Sequence, residues 1–200
     1  MVLVSQKAPD FTSQAILGTG KIIENFNFYK YINNQTAVLF FWPMDFTFVC
    51  PSELIAFNKR YKEFKKRNIQ VVGVSIDSIF VHRAWRNTSI NDGGIGPVQY
   101  AMVSDIQRNI QKEYGIEHPT AGVALRSSFL IDKNSIVRHQ IVNDFPLGRN
   151  IDEMIRLSDA LTYHEEHGEV CPAQWTIGQP GMSPNPEGVV KFLRSHYDKL

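Results

Sequence analysis

The sequence predicts an α/β protein, with a mixed central sheet, helices on both faces and a C-terminal arm. Three observations predict it. A strand, helix, strand order over residues 36–77 requires a parallel strand pair. A later strand, strand, helix order, ending at Gly168, adds an antiparallel pair to the same sheet. Beyond Gly168 the texture changes, because four of the ten prolines fall between Pro172 and Pro186. The expected division is a folded domain over residues 1–168 and an arm over residues 169–200.

Thr36 to Pro43 is a continuous block of strand-forming apolar residues, the pattern of a central strand buried on both faces. From Pro51 to Asn68, Leu54, Phe57, Tyr61 and Phe64 are spaced by three, four and three, which lays a stripe along one helix face. Four residues before Leu54 stands Cys50, so the thiol begins that inward stripe. Pro51 marks the first turn, where a missing N–H costs nothing. Gln70 to Asp77 forms the second buried strand and closes the crossover. A helix near residues 80–90, a strand over Ala101 to Ser104 and a helix over Gln107 to Tyr114 continue the alternation. Phe129 to Ile131 and Ile136 to Val142 flank the turn Asp132-Lys133-Asn134 and pair as a hairpin. Asn150 caps a helix with Asp152 and Glu153 in its first turn and Ile151, Met154, Ile155 and Leu161 facing inward; Gly168 ends it. Glu187 to Tyr197 makes a short terminal helix.

Two hundred residues at 43% apolar and 20% charged suffice for one domain with an appended arm. The net charge of +1, from 21 basic and 20 acidic residues, excludes a chain-wide basic field for nucleic acid or an anionic membrane. Lys59 to Arg67 holds six cations, but they alternate with the buried stripe and read as a solvated helix face. The longest apolar run, Ala37 to Met44, spans eight residues, against the roughly 20 needed to cross a bilayer. At the amino end only Val2 to Val4 offers an apolar core, where a secretory signal needs about 7 to 15 residues. The expected location is the cytosol.

Two cysteines, Cys50 and Cys171, are too few for a disulfide scaffold and too distant for a Cys-x-x-Cys pair. Both sit in the same word, Val-Cys-Pro. At the head of a helix, unpaired N–H groups and the partial positive charge favour a thiolate. Moving a thiol from about 8.5 to about 6 takes roughly 3.4 kcal/mol, whereas a helix terminus supplies about 0.3 to 1 and at best about 2. A cation must help, and the residues alone do not say which. Acidity is also a weak source of rate, since a roughly 30-fold gain in thiolate is offset by a roughly 10-fold loss of nucleophilicity. Speed must come from the transition state. Thr47, three residues before Cys50, can donate to one oxygen while accepting from another, which suits a hydroperoxide. Pro43 adds a rigid apolar wall without a competing N–H. Taken singly, Thr47 is a helix cap, Pro43 a strand terminator and Cys50 a buried small hydrophobe.

The segment Phe41-Trp42-Pro43-Met44-Asp45-Phe46-Thr47-Phe48-Val49-Cys50-Pro51-Ser52-Glu53 resembles the active-site segment of the typical 2-Cys peroxiredoxins. Gly168-Glu169-Val170-Cys171-Pro172-Ala173 resembles their resolving-cysteine segment. The likeness covers nearly the whole chain and is nearest to the bacterial alkyl hydroperoxide reductase C branch, with Asp144 to Asn150 and Gly181-Met182 also similar. It implies a thioredoxin-like fold and a peroxidase without metal or cofactor, acting on hydrogen peroxide and small organic hydroperoxides. By the same resemblance Cys50 is the peroxidatic nucleophile, Thr47 and Pro43 line the peroxide pocket, and Arg126 supplies the cation. Glu53 resembles the glutamate that orients this arginine; it reads equally as a first-turn acid complementing the helix dipole. Cys171 becomes the thiol that captures the sulfenic acid, reaching from the partner subunit of an antiparallel homodimer that assembles into a decamer. Thioredoxin, or a flavoprotein disulfide reductase, is the implied electron donor.

Other readings stand beside this one. An oligomeric chaperone holdase is the alternative function. His164, His167 and Cys171 have ligand-like spacing for zinc but lack a local fourth ligand. Asn91 to Pro97 is glycine-rich without the Gly-Lys-Ser/Thr of a phosphate loop, and is expected as a mobile surface turn. In the family a Gly-Gly-Leu-Gly here pairs with a terminal Tyr-Phe to expose the sulfenic acid to overoxidation. This chain has Ile95 for leucine and Phe192-Leu193 for Tyr-Phe, so an intermediate sensitivity is expected. Trp85 and Trp175 are expected to pack.

Overall fold

β3 (Ala37–Phe41) lies at the heart of the fold, since its five residues are apolar and each is completely buried. Truncating one of its large side chains to alanine costs about 2 to 5 kcal/mol. The computed structural model describes residues 1–199, and they form two compact units that meet in sequence between Ile151 and Asp152.

In the first unit β1 (Thr12–Ile16), β2 (Ile22–Asn27), β3, β4 (Gln70–Ser75), β5 (Ala101–Ser104), β6 (Arg126–Ile131) and β7 (Val137–Asn143) form one seven-stranded sheet in the order β2-β1-β5-β4-β3-β6-β7. β3, β4 and β5 are parallel, as the crossover requires, and β6 and β1 run antiparallel on either side of them. β6 and β7 form the hairpin expected around Asp132, whose carboxylate accepts the N–H groups of Asn134 and Ile136. α1 (Phe28–Ile32), α2 (Cys50–Lys66), α3 (Ile79–Asn87) and α4 (Asn109–Glu113) complete the unit.

Alternation along β3 assigns the helices to two faces. Leu39 and Phe41 point into a cluster with Phe28 of α1 and Ile110 of α4. Phe40 points the other way, stacking on Phe57 of α2 at 4.0 Å, and Trp42 lies 5.6 Å from His82 of α3. Gly73 of β4 makes room for that layer, because a Cβ there would meet Phe40 at 2.7 Å and Trp42 at 2.8 Å. The mixed sheet with helices on both faces is thus present.

In the second unit, which takes α5 (Ile151–His167) from its second residue on, α5 ends at Gly168, whose φ of +69° suits glycine, and α6 (Pro186–His196) is capped by Asn185 accepting from Gly188 N. Between them Val170 and Met182 exchange both backbone hydrogen bonds, which ties down the Cys171 segment.

Two features differ from expectation. The β1–β2 hairpin and α1 were not foreseen, since their burial alternates with polar residues in no sustained pattern. The Gly93 to Gly96 segment is packed rather than loose. Ile95 is buried, and a Cβ on Gly94 would lie 2.0 Å from the Thr88 carbonyl oxygen. Trp85 and Trp175 are both buried, as expected of packing residues.

Candidate active site

The parallel and antiparallel neighbours of β3 bring the site together. Phe41 pairs with Val74 on one side and with Ser127 on the other, so the carboxyl end of β3 adjoins the amino end of β6. The chain leaves β3 through Trp42 and Pro43, loops through Met44 to Val49, and enters α2 at Cys50. Arg126, the first residue of β6, therefore stands beside a thiol 76 residues earlier.

The loop is pinned from below. Asp45, buried, accepts the Trp42 indole N–H at 2.9 Å and lies 2.7 Å from His82 Nδ1, and its backbone N–H donates to Asp77 Oδ2 at 2.8 Å. Asp77 also accepts from Ser75 Oγ at 2.7 Å. Burial and the Asp45 charge push the Asp77 carboxyl up, against those hydrogen bonds. Among the described residues Asp45, Asp77 and His82 are the one convergent trio of metal-ligand types, yet their facing atoms are already engaged with one another or with protein donors. Phe46 adopts a φ of +54°, unusual for an aromatic residue, and its ring packs 5.7 Å from Trp85. These anchors hold Thr47 one residue further on.

Cys50 is fully buried as the first residue of α2. Val49 occupies the cap position without a side-chain hydrogen bond, so Thr47 is not the cap. Thr47 Oγ1 lies 2.9 Å from Cys50 Sγ and 2.7 Å from the Met44 carbonyl oxygen. Its single hydrogen serves one of these at a time. Arg126 Nη1 lies 3.3 Å from Sγ and donates to Glu53 Oε2 at 2.9 Å, while Nε donates to the Phe145 carbonyl at 2.6 Å. Pro43 is buried and lines a cleft of about 500 Å³ with Thr47, Phe48, Val123, Arg126 and Phe145.

Glu53 is a buried first-turn acid that does more than complement a dipole. Arg149, unforeseen from the sequence, donates to it three times: from its backbone N at 2.9 Å, from Nε at 2.8 Å and from Nη2 at 2.9 Å. Arg149 also donates to Ser127 O and lies over the Phe40 and Phe57 rings at 5.6 and 5.9 Å. Burial pushes the Glu53 carboxyl up, but the hydrogen bonds and charge of Arg149, with the charge of Arg126, outweigh it and hold the carboxyl below its ordinary range. Two guanidinium groups against one carboxylate leave one positive charge uncompensated beside the sulfur. A unit charge about 4 Å away is worth roughly 4 kcal/mol at an effective dielectric near 20, before the cost of burying the anion.

Cys171 belongs to the second unit. Its half-buried sulfur points at the Ala160 carbonyl, 3.5 Å away. Burial pushes this thiol up; the Arg156 charge opposes that and the Glu169 charge adds to it. His164 Nδ1 and His167 Nδ1 engage the backbone carbonyls of Glu169 and Tyr163, so the zinc-like spacing builds no ligand cluster among the described residues.

The arrangement is that of a buried thiol poised between a hydroxyl and a guanidinium, at the head of a helix on a mixed sheet. Residues 4–140 match the AhpC/TSA family, and residues 160–195 match the C-terminal domain of 1-Cys peroxiredoxin. Alkyl hydroperoxide reductase C of Buchnera aphidicola subsp. Schizaphis graminum is 60% identical over 98% of this chain and 100% of its own length. Alkyl hydroperoxide reductase C of Helicobacter pylori is 51% identical over 100% of both chains. The reduced 2-Cys peroxiredoxin of Plasmodium vivax superposes with a TM-score of 0.93 at 40% identity, over 97% of this chain and 100% of that one. The chain belongs to the AhpC/TSA family, in its typical 2-Cys peroxiredoxin class and alkyl hydroperoxide reductase C branch, with the thioredoxin-like fold. Members of that class are thiol-dependent peroxidases, and this chain is one.

Proposed function

We propose that Cys50 is the peroxidatic residue and that the chain reduces hydrogen peroxide and small organic hydroperoxides. The observation that carries this reading is the buried Cys50 sulfur with the Thr47 hydroxyl at 2.9 Å and the Arg126 guanidinium at 3.3 Å. The Cys50 thiolate attacks the terminal oxygen of ROOH, an S–O bond forms, the O–O bond breaks, and RO⁻ takes up a proton and leaves as ROH. Negative charge moves from sulfur to oxygen during this step. Thr47 and Arg126 act as fixed donors along that path, with the logic of an oxyanion hole. Pro43 keeps water and competing donors away from one side, and Glu53 with Arg149 holds Arg126 in place.

The product is a Cys50 sulfenic acid. The Cys171 thiol of a partner subunit attacks its sulfur, and hydroxide leaves as water with the thiol proton, giving an intersubunit Cys50–Cys171 disulfide. An external dithiol, thioredoxin or a flavoprotein disulfide reductase, returns both cysteines to thiols by exchange. These steps need no metal or cofactor. Residues 1–168 serve as the peroxidase domain and 169–200 as the arm bearing the resolving cysteine. The assembly is a homodimer building a decamer, and the location is the cytosol. The peroxidase reading is favoured over the holdase alternative by relatives named alkyl hydroperoxide reductase C and 2-Cys peroxiredoxin.

Stopped-flow oxidation of the reduced protein, followed by non-reducing electrophoresis, tests nucleophile and bridge together. Oxidation is expected to vanish in Cys50→Ser. In Cys171→Ser it persists but the dimer-sized disulfide band disappears. Full peroxide turnover by Cys50→Ser would remove the proposal.

A further inference from the structure

The cleft that Thr47 and Arg126 line has a wall of Ala121, Val123, Phe145 and Pro146. The imidazole of His118 lies face to face with the Phe145 ring of that wall, with centroids 4.6 Å apart and planes 19° from parallel. The imidazole cannot swing freely. Its Nδ1 accepts the backbone N–H groups of Thr120 at 3.2 Å and Ala121 at 3.1 Å, which assigns the ring proton to Nε2. The His118 backbone N–H donates to the Val123 carbonyl at 2.8 Å, closing residues 118–123 into a tight turn that carries two of the wall residues. Phe145 is tied to the reaction centre as well, since its carbonyl accepts from Arg126 Nε at 2.6 Å. One side chain thus fixes both the turn and the aromatic plate.

Hydrogen peroxide has no group that could rest on this wall. An organic hydroperoxide places its R group there while its O–O bond meets the sulfur, so contact with the plate favours the transition state only for substrates that carry one. We propose that His118 is a positioning residue for organic hydroperoxides: its ring holds Phe145 as the surface on which R seats, and it has no part in the reaction with hydrogen peroxide. This inference rests on the reading of Cys50 as the nucleophile.

The test compares second-order rates of oxidation of the full-length reduced protein by cumene hydroperoxide and by hydrogen peroxide. His118→Asn keeps an acceptor oxygen in place of Nδ1 and removes the ring. Its rate with cumene hydroperoxide is expected to fall about fivefold, the share that one aromatic pair supplies, while the hydrogen peroxide rate stays within about twofold. His118→Phe keeps the stacked ring without the acceptor and is expected to restore the cumene hydroperoxide rate. In a Phe145→Ala background, His118→Asn is expected to cause no further loss, because the two act as one unit. Equal losses with both peroxides, no loss with either, failure of His118→Phe to rescue, or additive losses with Phe145→Ala would each overturn the inference. Cys50→Ser separates the two levels: peroxide consumption surviving in it refutes the nucleophile itself, whereas its abolition alongside an unchanged substrate ratio in His118→Asn refutes only the role of His118.

Discussion

Thr47 and Glu53 do different work on the same sulfur, one by direct contact and one through arginine. Thr47→Val keeps the shape and removes the only hydroxyl within reach of Sγ among the described residues. The expected loss is about 10²- to 10³-fold in the rate of Cys50 oxidation, as for other single donors to a developing oxyanion, with Thr47→Ser retaining most of it; stopped-flow fluorescence reads both. Glu53→Gln leaves the buried guanidinium groups of Arg126 and Arg149 without their anion and is expected to lower unfolding stability by about 3 kcal/mol in urea titrations. The pH dependence has a definite sign. Because the folded carboxyl sits below its ordinary range, its stabilising contribution is complete above about pH 4.3 and is lost as pH falls through the folded value. Wild-type stability should therefore drop more steeply below about pH 4 than that of Glu53→Gln. A parallel fall of the two curves would show that Glu53 is not the titrating anion. At this scale the cysteine, threonine and proline were legible because they share one short word with fixed spacing. Arg126 entered only through resemblance. Arg149 was missed as a site residue because 96 residues separate it from Glu53, although it lies within the Asp144 to Asn150 stretch that resembles the family.

Elements legible in the sequence were those whose own residues decide them. β3, β4 and α2 announce themselves through unbroken apolar runs and a three-four stripe, and the observed bounds lie within a few residues of the expected ones. The β1–β2 hairpin was not legible because its strands are decided by partners, β1 pairing antiparallel with both β2 and β5. The same distinction governs the glycine-rich segment after α3. Its composition suggested a loose turn, but Ile95 anchors it in the core, and the Trp85 indole N–H reaches the Gly93 carbonyl at 3.0 Å. Where the family resemblance expects a terminal Tyr-Phe, this sequence has Phe192-Leu193. The expected outcome is intermediate overoxidation. Mass spectrometry of Cys50 across a peroxide titration should find sulfinic acid at high doses and disulfide at low ones, and its absence at every dose would contradict this.

For the molecule as a whole, the net charge is +1, and among the described residues no helix is long and apolar enough to cross a membrane. The two thiols are prepared differently. Cys50 meets a guanidinium and a hydroxyl, while burial pushes the Cys171 thiol up. In Cys50→Ser protein, where Cys171 alone reports, alkylation by iodoacetamide should be slow at pH 7 and climb only above the ordinary thiol range near about 8.5; a plateau reached below that range would contradict it. The central claim is that the uncompensated charge of Arg126 makes the Cys50 sulfur a fast peroxide nucleophile. Its most direct test is the second-order rate of Cys50 oxidation by hydrogen peroxide in Arg126→Met against the parent, both in a Cys171→Ser background. Loss of a fixed donor along the path of the charge that moves from sulfur to oxygen predicts a fall of about 10²- to 10³-fold, and a rate within about twofold of the parent would contradict the account.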